Sequence, residues 1–225
     1  MLAAIVADGN ACLNWLAAAE PDLERLRETL DAIVKDGHRA GDVIQRIRQL
    51  ATKTEPRKVR LDLNEVVRDV LPLIRAELRD HGVSLMVELA PGLRPVLGDR
   101  VQLQQVILNL VVNSIDAMAA IEERPRELTI RTQRHDADHG TVAVHDTGVG
   151  IAPDDVDRLF SAFFIIKPGG MGMGLSISRS IIEAHGGRLW ASANLPQGAI
   201  FQFWLTMDPG AADGLQVARV SSAVP

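Results

Sequence analysis

The chain of 225 residues contains no tyrosine, and aromatic residues make up only 4% of it. Stacking platforms for single-stranded nucleic acid need several such rings, so that class of partner is not expected. Basic residues are also in the minority, with 24 Lys and Arg against 29 Asp and Glu and a net charge of −5. No long basic run is available to hold a phosphate backbone, which again argues against nucleic acid. A single cysteine, Cys12, removes any internal disulfide, and no CxxC pattern suggests a structural metal. No apolar stretch reaches the ~20 residues that cross a bilayer. The opening Met1-Leu2-Ala3-Ala4-Ile5-Val6-Ala7 lacks a basic leader and runs into Asp8, so it does not read as a signal peptide. A cytoplasmic location, with no membrane contact by this segment, is the expectation.

What remains is an ordinary globular composition, 47% hydrophobic and 24% charged, at a length that suits one large domain or two small ones. Leu23, Leu26, Leu30, Ile33, Gly37, Ala40, Ile44 and Ile47 alternate steps of three and four. That is a heptad seam. Leu2, Ile5, Gly9, Cys12 and Leu16 repeat the rhythm, and a short turn at Ala19-Glu20-Pro21 joins the two helices into an antiparallel hairpin. A hairpin core is thin, so a second copy completing a four-helix bundle is one expectation; packing on the rest of its own chain is the other. The second helix reads from about Pro21 to Thr52, ~45 Å, against ~28 Å for the first. A helical partner upstream of Met1 is therefore expected.

Beyond the polar segment around Pro56 the texture changes to alternating helices and strands. Asp62 caps a helix running to about Asp80, and Val83 to Leu89 alternates as a strand. Pro91 to Gly98 reads as a turn and short strand. A long helix follows from Arg100 to about Glu122. Leu128–Arg134 with Thr141–Asp146, and Leu189–Ala193 with Ala199–Leu205, read as hairpins, separated by a Gly- and Pro-punctuated stretch and a helix from Leu175 to about His185. The order suggests an α+β sandwich with largely antiparallel strands.

Three clusters carry chemistry. Asn109 and Asn113 lie four apart on the long helix, with Asp116 close by. Amide oxygens there suit a hard cation bound to phosphates, or simply a pair of buried amides capping loops. Asp146-Thr147-Gly148-Val149-Gly150-Ile151 follows a strand and suits either a flat ligand, with Asp146 accepting from an exocyclic amine, or a tight turn. Gly169-Gly170-Met171-Gly172-Met173-Gly174-Leu175 leads into a helix whose bare amides suit phosphates. It lacks the Gly-Lys-Ser/Thr ending of a P-loop.

In this order the three clusters resemble the ATP-binding domain of bacterial sensor histidine kinases, a fold shared with gyrase, Hsp90 and the MutL mismatch-repair ATPases. The run Ser176 to Trp190 is similar to two-component kinases of the oxygen- and nitrogen-sensing type. The hairpin is similar to their dimerisation and phosphotransfer domain. The resemblance implies residues 1–53 as that hairpin, 54–60 as linker, 61–207 as the ATP-binding domain and 208–225 as a loose tail. It implies ATP and Mg²⁺ as cofactors, with Asn113 on the metal and Asn109 beside it. It places Asp146 on the adenine amine, and Gly148 and Gly150 under the base. Gly170, Gly172, Gly174 and Leu175 would form the nucleotide lid and its helix, with Lys167 reaching the terminal phosphates. Homodimerisation and a response-regulator receiver domain are the implied partnerships.

Hydrolytic relatives place a Glu four residues before the magnesium Asn; here Asn109 stands there and cannot act as a base. The implied reaction is phosphoryl transfer from Mg·ATP to a histidine. The family's phosphoacceptor motif, His-Glu-x-x-Gln-Pro or similar, precedes the Leu2–Ile5 segment in relatives, so it is expected upstream of this sequence. Autophosphorylation of this chain alone is not expected. Ser161-Ala162-Phe163-Phe164-Ile165-Ile166-Lys167 departs from the usual Glu-Pro-Phe-Phe-Thr-Thr-Lys lid by replacing two hydroxyls with apolar side chains. His38, His81, His135, His139, His145 and His185 read as surface or cap residues, with His145 beside the adenine pocket. The alternative function is a non-catalytic ATP-binding or dimerisation module that regulates an intact kinase; a hydrolytic ATPase is a third.

Overall fold

The structure is a computed structural model, and it describes residues 2–16, 22–34, 37, 58–156, 158–161, 164 and 173–209. Two compact units divide the chain, Met1–Glu55 and Pro56–Pro225.

The first unit holds helix α1 (Leu2–Leu16) and a second helix, α2 (23–34). Asp22 opens α2 by accepting the Arg25 amide at 3.0 Å, which satisfies one of the free N–H groups of the first turn. The two helices touch where the Arg25 guanidinium lies 4.6 Å over the Trp15 ring, and Cys12 is buried. Leu16, Leu23 and Leu30 of the seam are exposed within the chain, as are Val6, Leu13 and Val34 beside it. Ala40, Ile44, Ile47 and His38 lie outside the described residues.

The second unit is an α/β sandwich. Strand β1 (Val59–Leu61) pairs antiparallel with β3 (Val96–Gly98). Helix α3 (Leu63–Asp80) starts at Asp62, whose carboxylate accepts the Asn64 amide at 2.7 Å. Its buried residues Leu63, Val66, Val67, Val70, Ile74 and Leu78 recur every three or four positions, one stripe of a helix. Strand β2 (Val83–Leu89) follows, and helix α4 (Arg100–Ala119) begins at Asp99, which caps the amides of Val101 and Gln102. Strands β4 (Arg126–Arg134) and β5 (His139–Asp146) form a hairpin. A 3₁₀ turn at Pro153–Asp155, helix α5 (Gly174–Ala184), and strands β6 (Arg188–Ala193) and β7 (Ala199–Thr206) complete it.

The main sheet has the order β2-β4-β5-β7-β6. Three pairings are antiparallel, but β2 and β4 run parallel, with Leu85 opposite Leu128 and Val87 opposite Ile130. The α4 crossover between them makes that possible, since a parallel pair cannot be closed by a tight turn. Register places Val87, Ile130, Val144, Phe201 and Ala191 in one row across the sheet. All belong to or pack on the core shared with α3, α4 and α5. The alternate residues form the second face, where Arg131 pairs with Glu88 at 2.6 Å and His139 stacks against Trp204 at 4.2 Å between ring centroids.

Several expectations need adjustment. Val59–Leu61 overlaps the segment read as linker yet forms β1; a three-residue strand has no period of its own and exists because β3 pairs with it. The long helix ends at Ala119 rather than near Glu122, and β5 starts at His139, a residue read as turn. The start of the tail is not loose. Asp208 donates its amide to Pro95 O at 2.7 Å and binds Arg60 at 2.6 Å, while Met207 is buried.

Candidate functional site

Period-2 alternation decides where the acidic residue of the glycine box points. Asp146 ends β5 on the row of Leu128, so its side chain enters the helix-covered face, where it is fully buried. His145, one residue earlier, must point to the opposite face. It is therefore not beside the Asp146 pocket as expected. Burial there, with Arg131 nearby, pushes the His145 pKa below its usual value.

The Asp146 carboxylate is fixed by backbone. Oδ1 accepts the amides of Gly148 at 2.8 Å and Ala199 at 3.1 Å. Loop residues after it are held on α4: the Val149 amide donates to Ala117 O at 3.2 Å. Gly148 lies so close that a Cβ there would stand 2.8 Å from the Ala117 backbone. Arg124 donates to Gly148 O at 2.7 Å, and Thr147 Oγ1 donates to Pro125 O and accepts from the Glu127 amide. Gly150, at φ 79°, packs against the carbonyl of Gly198.

The β6–β7 turn closes the other side. Asn194 Nδ2 donates to Asp146 O at 2.7 Å, and the Asn194 amide donates to Gly198 O at 3.0 Å. Gly198 sits at φ 117°, and a Cβ there would overlap the Asp146 carbonyl at 1.9 Å. Only glycine combines that backbone with that contact.

On α4, Asn109 is half-buried and its Nδ2 donates to Ser178 Oγ at 3.0 Å. Its Oδ1 faces Gly174, where an added Cβ would come within 2.4 Å. Asn109 thus ties α4 to the first turns of α5, and the missing side chain at Gly174 makes room for it. Among the described residues no side chain caps the α5 N-terminus, and leading helix amides of this kind suit an anion. Asn113 is half-buried one turn along α4, Asp116 is exposed, and Leu175 packs on the core. Lys167, Gly170, Gly172, Ile165 and Ile166 lie outside the described residues. Nearby donors and oxygens fit a magnesium nucleotide: neutral amide oxygens on α4, bare amides at α5 and a buried carboxylate for a base.

The α5 C-terminus is anchored too. Lys58 Nζ donates to Ala184 O at 2.7 Å, and His185 Nδ1 donates to Ile181 O at 2.7 Å. Sequence reasoning missed Ser178, Arg124 and Asn194, all supporting residues. Only Asn194 carried a signal, as the start of a Pro- and Gly-containing hairpin turn.

Residues 98–209 match the family described as histidine kinase-, DNA gyrase B- and HSP90-like ATPases. The chain is 41% identical over 188 residues to the sensor protein FixL of Bradyrhizobium diazoefficiens, covering 84% of this chain and 37% of that protein. It is 35% identical over 201 residues to the sensor histidine kinase TmoS of Ectopseudomonas mendocina, covering 89% of this chain and 21% of TmoS. The catalytic domain of histidine kinase ThkA superposes with a TM-score of 0.60 at 30% identity, over 68% of this chain and 98% of that domain. ThkA in complex with the response regulator TrrA matches at a TM-score of 0.72 over 92% of this chain and 58% of that one; at 24% identity this likeness shows the fold. The chain belongs to the sensor histidine kinase family and carries its ATP-binding core. It spans little more than a third of FixL and about a fifth of TmoS. Among the described residues no helix is long and apolar enough to cross a membrane.

Proposed function

We propose that this chain holds Mg·ATP for phosphoryl transfer to a histidine, the phosphate then passing to a response-regulator receiver domain in the cytoplasm. Asp146 accepts the adenine amine, and Gly148 and Gly150 lie under the base. Asn113, with Asn109 beside it and Asp116 near, holds the magnesium. Gly174 and Leu175 open the helix that meets the phosphates, with Lys167, Gly170 and Gly172 in the preceding lid. Bound magnesium neutralises phosphate charge that would otherwise resist attack. The protein's own work is positioning and exclusion of water.

Asn109 carries this reading. Relatives that hydrolyse ATP use a Glu at the corresponding place, and a carboxamide held by Ser178 cannot take a proton from water. ATP is thereby retained for an acceptor. The exposed Val6, Leu13, Leu16, Leu23, Leu30 and Val34 support homodimerisation through the hairpin, where a second copy would bury them.

None of the six histidines stands in a phosphoacceptor motif. The test incubates the chain with radiolabelled Mg·ATP, alone and with a helical polypeptide bearing a family phosphoacceptor motif. Acid-labile label on the added polypeptide only is expected. Tight ATP binding with no transfer would favour the non-catalytic module, and rapid release of free phosphate would favour a hydrolase.

A further inference from the structure

Asp146 can discriminate a base by its amine only if its carboxylate stands still. Side-chain rotation is stopped by the amides of Gly148 and Ala199 on Oδ1. Rotation of the backbone that carries it is a separate freedom, because Asp146 is the last residue of β5 and the glycine loop begins immediately after. The ladder to β7 has its last paired residues at His145 and Ile200. On the β7 side, beyond that ladder, a side chain takes over, while Leu128 of β4 remains opposite Asp146: Asn194 Nδ2 donates to the Asp146 carbonyl at 2.7 Å. Asn194 is itself fixed by its amide bond to Gly198 O, and Gly198 lies directly against the same carbonyl.

We infer that Asn194 is a positioning residue for purine selectivity, holding the Asp146 peptide so that its carboxylate meets a 6-amino group and rejects a 6-oxo group. The inference rests on the reading of Asp146 as the base contact. Asn194 is half-buried in the β6–β7 turn and touches the site through the Asp146 backbone. Its effect therefore falls on discrimination between bases, while contacts to the triphosphate, made from α4 and α5, are untouched. A hydrogen bond swung out of line by a tilted peptide loses most of its strength, since such bonds weaken steeply with angle. Complete loss of a bond to a charged carboxylate amounts to about ten- to a hundredfold in affinity, and its weakening by misalignment to a part of that.

The experiment measures binding of Mg·ATP and Mg·inosine triphosphate by calorimetry. Inosine puts a carbonyl oxygen where adenine has its amine. Asn194→Asp keeps the side-chain shape but replaces the donor with an acceptor facing the Asp146 carbonyl; Asn194→Ala is the second variant should the first fail to fold. Asp146→Asn is the control. The expected result is a wild-type preference for ATP, reduced at least about threefold in the Asn194 variants through weaker ATP binding, with inosine triphosphate affinity equal to or above the wild-type value. Asn194→Ser, which retains a shorter donor, should recover part of the preference. A wild-type ratio in Asn194→Asp and Asn194→Ala, with the preference lost in Asp146→Asn, overturns the role of Asn194 and leaves Asp146 as the base contact. A wild-type ratio in Asp146→Asn overturns both. Equal losses for both nucleotides would show a merely structural role and overturn the positioning claim.

Discussion

The ring Nε2 of His185 accepts the backbone amide of Asp99 at 2.9 Å, joining the end of α5 to the cap of α4. Because Nδ1 donates to Ile181 O, the ring is neutral with its proton on Nδ1. That tautomer ties together both helices of the proposed nucleotide site. Burial pushes the His185 pKa below its usual 6.5, and Lys58 adds to the effect; the bond to Ile181 and the Asp99 charge oppose it.

A pH dependence follows from the sign. Below about pH 6.5 the unfolded chain takes up a proton that the folded ring refuses, so the unfolded state binds more protons and stability is lost as the pH is lowered. The loss starts near the unfolded value and continues until the lowered folded value is passed. His145 acts in the same direction. Thermal unfolding followed from about pH 7.5 to about pH 5 should show a falling Tm. The fall should be shallower in His185→Gln, whose amide can accept from Asp99 and donate to Ile181 without titrating. An identical slope in wild type and variant would mean that His185 is not a source of the acid sensitivity.

Asp146→Asn and Asn113→Ala should each weaken Mg·ATP binding. Removing a hydrogen bond to a charged group costs ~1.5–3 kcal/mol, about ten- to a hundredfold in affinity. Asp146→Asn retains an Oδ1 acceptor for Gly148 and Ala199, so its melting temperature should change less than its affinity. Calorimetry is the check, and unchanged affinity in both variants would rule out the assigned pocket.

Gly148→Ala tests the packing of the glycine loop on α4. The new methyl would lie 2.8 Å from the Ala117 backbone, where no flexible side chain can give way. Overpacking of this kind costs about 1–3 kcal/mol, a drop of roughly 3–10 °C in Tm for a domain of this size. Differential scanning calorimetry reads the drop, and nucleotide binding should weaken with it. A wild-type melting curve would show that the loop is free to shift.

Deletion of residues 1–55 should convert a dimer into a monomer that still binds ATP. The unit Pro56–Pro225 contains the main core of the chain and all of the assigned nucleotide residues, so it should fold without the hairpin. Light scattering on both proteins measures the masses. Equal monomer masses would count against the hairpin as a dimer interface.

Much of the ATP-binding fold was legible from local chemistry. Asp62 announced its helix as a cap residue, Val83–Leu89 its strand through alternation, and paired strand-like runs announced the two hairpins. The three candidate clusters stand out for a similar reason: glycine boxes and a pair of asparagines four apart are patterns among near neighbours. Less legible was β1, too short for a period, and the extent of the ordered C-terminus, where Asp208 is held by Arg60. His145 illustrates the limit. Alternation says that it and Asp146 face opposite ways, but only packing of the sheet against α4 says which of the two enters the pocket.

The sequence by itself determined the helices, most of the strands and the residue types offered at each of their ends, because caps, periods and turns are set by residues a few positions apart. Tertiary structure alone decided the parallel β2–β4 pairing and the supports of the site. Asn109 meets Ser178 across 69 residues, Asp146 meets Asn194 across 48, and Asp99 meets His185 across 86. No local pattern encodes such meetings. They arise when the apolar faces of α3, α4 and α5 cover one side of the sheet, and polar groups trapped beneath must find partners among whatever the packing has brought near.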